Sequence, residues 1–143
     1  MNKVVYAANT SRDKSTALPP YTSSFMEYLQ HCWPQFLHRQ GCIVLGDVKG
    51  KDLAEMLYIT QNSKASVETQ LNRRRLIQLL PANAPVSVAE LTQIGTMLKE
   101  MWQAKLRKDF PNKSFSVIFT EGKTGLDVEN FEITFFQNSF SRQ

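Results

Sequence analysis

The stretch SVAELTQIGTMLKEMWQAKLRKDFPNKSFSVIFT, residues 87–120, carries two different periodicities on either side of one proline. Ser87 and Glu90 form a capping box, in which a hydroxyl and a carboxylate satisfy amides left free at a helix start. Leu91, Ile94, Met97, Leu98, Met101, Trp102 and Leu106 then share one half of a helical wheel. With Pro111 beyond the far end, the spacing predicts a long helix over 88–109. Past the proline the period becomes two: Phe115, Val117 and Phe119 alternate with Ser114, Ser116 and Thr120. The same alternation returns at Phe131, Ile133 and Phe135 against Glu132 and Thr134, so a hairpin over 114–136 with one buried face is expected. Residues 121–130, with Gly122 and Gly125, form its connection.

Working outward toward the N-terminus, Ser24 and Glu27 form a second capping box. Phe25, Met26, Tyr28, Leu29, Cys32, Trp33, Phe36 and Leu37 follow on one broad apolar arc, which predicts a core helix over 24–39. Pro34 must kink or interrupt it, and Gly41 is the expected stop. Cys42-Ile43-Val44-Leu45 between two glycines suits a buried strand. Residues 47–50 are turn-like, and residues 55–60 are read as a strand although Leu53, Met56 and Leu57 also fit a helix. Over 66–80 the apolar residues scatter around the wheel, leaving helix, or a strand at 65–71 with a short helix after it. At the N-terminus, residues 3–8 suit a short strand and 9–22 a polar arm. The expected fold class is α+β: an antiparallel sheet including a C-terminal β-hairpin packed against two or three amphipathic helices.

Composition bounds the rest. At 143 residues, with 42% apolar and 21% charged residues, the chain is expected to form a single α+β domain over 1–143. No run approaches the roughly 20 apolar residues that span a bilayer, and no export signal is read at the start. A cytoplasmic location is therefore expected, with Cys32 and Cys42 as reduced thiols acting as small hydrophobes. The net charge of +4 comes from 17 Lys+Arg against 13 Asp+Glu. Five basic and two acidic residues lie between Lys99 and Lys113, and four acidic and two basic ones from Glu121 onward, so the two regions are matched in sign to face each other. This balance permits an anionic partner without the strong basic footprint of a dedicated nucleic-acid binder.

Five features offer chemistry, each with a plainer alternative. Glu27, His31 and His38 cluster on the polar side of the first helix, where Glu27 and His31 suit metal ligation or a carboxylate-oriented general base. A solvated Glu-His pair explains the same spacing, and His38 lies roughly 10 Å further along an ideal helix. Lys105 falls within the apolar half of the long helix, where desolvation makes a nucleophile and snorkelling makes a cap for the last turn. Arg73, Arg74 and Arg75 can contact phosphates or an acidic surface, although consecutive helical residues diverge by 100°. Asp127, Glu129 and Glu132 give the hairpin an acidic side with irregular spacing. Phe136 and Phe140 suggest a partner interface or a surface covered by a second layer.

No phosphate loop, metal-spaced Cys/His cluster, nucleophile elbow or dinucleotide fingerprint occurs, so neither a cofactor nor a metal is expected. The leading expectation is a non-enzymatic protein-binding or regulatory domain that binds a protein partner or self-associates as a homodimer. Nucleic-acid binding through the basic segments is one alternative. A small hydrolase or metal-dependent enzyme built on Glu27 and His31, with Lys105, is the other.

Overall fold

The computed structural model describes residues 20–81, 85–122 and 127–140. The strand expected at 3–8, the polar arm through residue 19 and positions 123–126 of the hairpin connection lie outside the described residues. The fold is α+β, with antiparallel sheets of two and three strands.

The first helix, α1, runs Pro20–Cys32 rather than 24–39. Proline is tolerated in a first turn, where its missing amide would have no partner. Ser24 therefore lies inside the helix and does not cap it. Pro34 ends it instead of kinking it, because the residue before a proline is pushed out of helical geometry. The chain then turns extended as β1, Phe36–Arg39, and returns as β2, Cys42–Leu45. Gln40 and Gly41 both adopt positive φ, 51° and 81°, the geometry of a two-residue hairpin turn. Gly41 is thus a hairpin residue and not a helix stop, and β2 is buried throughout as expected.

Residues 55–59 are helical and Thr60 caps the helix, correcting the strand expected at 55–60. Helix α2, Gly50–Ile59, buries Leu53 and Leu57 with Met56 packed on the same core, whereas a strand would send the neighbours Met56 and Leu57 to opposite faces. Helix α3, Lys64–Leu71, follows, then the two-residue strand β3, Arg74–Arg75, and a 3₁₀ turn at Leu76–Leu79. Helix α4, Val88–Asp109, carries the capping box read from sequence: Glu90 N donates to Ser87 Oγ at 3.1 Å and Ser87 N to Glu90 Oε1 at 2.8 Å. These bonds hold the Glu90 carboxyl below its usual range. Strands β4, Phe115–Thr120, and β5, Glu132–Gln137, form the expected hairpin, with Val117 opposite Phe135 and Phe119 opposite Ile133.

Helix α4 covers this sheet through Leu91, Gly95, Leu98, Trp102 and Leu106. Trp102, Phe36 and Phe135 meet edge-to-face, with ring centroids 5.0 to 6.3 Å apart, and this trio joins the helix to both sheets. At Gly95 the Phe119 ring fills the space of a side chain: a Cβ there would sit 2.1 Å from the ring.

Helix α3 lies between two sheet edges. Strand β3 pairs with β5 only at Ile133 and Glu132, so β5 has an open edge beyond them, and β2 has one opposite β1. Glu68 Oε2 accepts Ile43 N at 2.6 Å, and Glu68 Oε1 accepts Gln137 N at 2.7 Å. Gln137 Nε2 also donates to Glu68 Oε2 at 2.6 Å. One turn on, Asn72 Oδ1 accepts Leu45 N at 3.0 Å, while Asn72 Nδ2 donates to the carbonyls of Ile43 and Phe135 at 3.0 and 3.3 Å. Burial raises the Glu68 pKa, and the donors from Gln137 and Ile43 pull it partly back.

Glu68→Gln places an amide nitrogen against buried donors, and a loss of roughly 2–3 kcal/mol is expected in urea denaturation at neutral pH. A loss below about 0.5 kcal/mol would show that the bridge is not needed. Because the folded pKa is raised, the folded chain keeps a proton that the unfolded chain has released. Wild-type stability relative to this variant should therefore fall as pH rises through the window above the ordinary carboxylate pKa. Gly95→Ala should destabilise by about 1–3 kcal/mol through overpacking, against a helix-propensity gain of about 1 kcal/mol. Phe119→Leu in the same chain should recover part of that loss.

Candidate functional site

The apolar arc of α1 faces mostly outward, contrary to the core helix expected from its pattern. Phe25, Met26, Leu29 and Trp33 are 61, 44, 42 and 45% exposed among the described residues. Phe25, Leu29 and Trp33 recur every four residues, which places them on one stripe. Trp33 still follows the helical path, donating its amide to Leu29 O at 2.8 Å. The body is met by the other side of the helix, where Tyr28, His31 and Cys32 are half-buried.

Two hydrogen bonds dock this region on α4. Trp102 Nε1 donates to His31 O at 2.9 Å, and Lys105 Nζ donates to Pro34 O at 3.0 Å. Lys105 also bonds Asp109 Oδ2 at 2.5 Å and lies 5.5 Å from the centre of the Phe36 ring. Two of the ammonium's three N–H donors are engaged by structural partners. The intruder on the apolar half of α4 thus clasps the segment after α1.

Two adjoining clefts lie on the inner side of α1. One, of about 400 Å³, is bounded by Gln30, Gln35, Asp47 and Arg74, with Leu45 and Trp102 among its apolar walls. The other, of about 200 Å³, runs between α1 and α4 and is almost entirely carbon, with Tyr28, Cys32, Ile94, Met97 and Met101 on its walls. His31 and Leu79 line both, so a single pair of side chains separates them.

Of the Glu/His cluster, only His31 reaches a cleft. Glu27 is exposed and makes no hydrogen bond or ion pair with His31. His38 is on β1, so the three groups expected on one helix face are not brought together there. No group of three or more His, Cys, Asp or Glu side chains suited to a metal occurs among the described residues. Burial raises the Cys32 thiol pKa. Burial, with the nearby Glu68 charge, pushes Cys42 up to about 11, and both thiols are free.

The three arginines point to three different carboxylates. Arg73 Nε lies 3.5 Å from Glu132 Oε1, Arg74 Nη2 2.6 Å from Asp47 Oδ1, and Arg75 Nη1 2.7 Å from Glu129 Oε1. The acidic side of the hairpin is thus matched by Arg73 and Arg75. Phe136 and Phe140 are half-buried. Sequence reading singled out neither Gln35, Asp47 nor Leu79, which reach the first cleft from a linker, a turn and a 3₁₀ turn. No helix among the described residues is long and apolar enough to cross a membrane.

The chain matches no protein-family model, no curated protein and no solved structure. The candidate site therefore rests on its own geometry. Lys105→Ala removes the clasp on Pro34 and should lower stability by roughly 1.5–2 kcal/mol, read as a shift in the urea midpoint. An unchanged midpoint would leave Lys105 free for a chemical role.

Proposed function

We propose that this chain is a protein-binding module that pairs with a second copy of itself through the outer stripe of α1. The observation that carries this reading is the exposure of Phe25, Met26, Leu29 and Trp33 on one side of one helix. An apolar arc of this kind gains about 25 cal/mol for each Å² removed from water, which favours its being covered. The four-residue spacing supports helix-on-helix packing of ridges into grooves, and an antiparallel copy of the same stripe is self-complementary about a two-fold axis. Glu27 is the only acidic residue of α1, and the helix has no Lys or Arg, so like-charge repulsion between copies is small.

The enzyme and nucleic-acid readings have less support, because Lys105 is engaged by Pro34 and Asp109 and each arginine already faces a carboxylate. We place the module in the cytoplasm, where Cys32 and Cys42 would stay reduced.

Sedimentation equilibrium from about 1 to about 200 µM should show a reversible dimer with a dissociation constant in the micromolar range. Leu29→Glu should leave a monomer that melts near the wild-type temperature when both are compared at a concentration below the dimer's dissociation constant, since Leu29 is exposed. A wild-type chain that is monomeric across the whole range would overturn self-association.

A further inference from the structure

The inner side of α1 differs from its outer stripe in having two adjoining clefts, one with charged and amide groups on its wall and one almost entirely carbon. We propose that the two adjoining clefts together bind a free fatty carboxylate that passes between His31 and Leu79, with its head at Arg74 and its alkyl chain in the groove between α1 and α4. The guanidinium is fixed: Arg74 Nη1 donates to Leu71 O at 2.9 Å and Arg73 O at 2.8 Å. On its other side, Nη2 is held by Asp47, a turn residue whose side chain is 74% exposed against 22% for Arg74. A ligand carboxylate can take the place of Asp47 at this guanidinium, releasing the exposed Asp47 carboxylate to solvent. Gln30 and Gln35 line the same cleft and carry amide donors.

Beyond His31 and Leu79, the second compartment offers carbon walls from Ile94, Met97, Leu98 and Met101. A peptide or a nucleobase would leave its polar groups unpaired there, whereas an alkyl chain loses nothing on entry. Methionine walls adapt to chains of different length. Each methylene taken from water should tighten binding roughly fourfold until the groove is full.

The test is isothermal titration calorimetry of the full chain with octanoate, decanoate and decanol, each below its micelle concentration. Affinity should rise from octanoate to decanoate, and decanoate should bind about tenfold more tightly than decanol. Arg74→Gln should bring decanoate to the decanol level, with decanol unchanged. Asp47→Ala removes the competing carboxylate at an exposed turn, and should tighten decanoate severalfold without affecting decanol; this variant keeps the test open if Arg74→Gln fails to fold. Met97→Glu should weaken both ligands. Leu29→Glu, on the outer stripe, should leave both affinities unchanged even where it abolishes the dimer, so this inference and the self-association reading can fail separately. Absence of saturable decanoate binding, equal affinity for decanoate and decanol, or loss of binding in Leu29→Glu would each overturn the assignment.

Discussion

The carboxylate of Glu68 receives backbone amides from Ile43 on one sheet and Gln137 on the other, and Asn72 makes the same crossing one turn later. The arrangement of the two sheets depends on this bridge. Each presents an open edge to the interior, and a buried amide or carbonyl without a partner costs about 1–3 kcal/mol. Direct strand pairing would have fused the edges into one sheet. Helix α3 satisfies the same groups with side chains, and the two sheets remain separate. The carboxylate suits the role because it is an acceptor only, and all three groups that reach it are donors.

This arrangement also places the clefts. Once β2 is set against β5, the β1–β2 hairpin brings Phe36 against Trp102 and Phe135 in the shared core. The segment before β1 must then pass over α4, where Trp102 and Lys105 take the carbonyls of His31 and Pro34. Asp47 follows directly from β2, and Arg74 follows from α3 two residues after Asn72. The polar cleft is therefore assembled from segments whose positions are fixed by the bridge and by the aromatic trio.

What was legible in the sequence follows from the kind of burial each element has. Helix α4 and the β4–β5 hairpin each bury one face at one period, and both were readable almost to their ends. Helix α3 gave no apolar face because its buried positions include Glu68, with Asn72 just after its end; polar recognition leaves no hydropathy signal. The β1–β2 hairpin was hidden by Gln40, an unusual residue for a positive-φ turn, and by an apolar arc that runs on through Phe36 and Leu37. Residues 55–60 were misread because Leu-Tyr-Ile-Thr favours a strand locally, while the packing of the neighbours Met56 and Leu57 on one core with Leu53 decides for a helix. At the candidate site, His31 and Arg74 stood out as residue types, but their meeting with Gln35, Asp47 and Leu79 depends on tertiary structure.

The arc of α1 raises a different point. A hydropathy pattern reports that a face favours cover, and says nothing of where the cover comes from. Here the core closes without that face: Trp102, Phe36 and Phe135 pack together whether or not Phe25 and Leu29 are covered. What docks α1 is a small set of half-buried side chains and two bonds to backbone carbonyls, which do not depend on the identity of the outer residues. The outer residues therefore contribute less to folding than the aromatic trio does. Four large apolar side chains on such a face carry a liability to nonspecific aggregation, which a covering surface would remove.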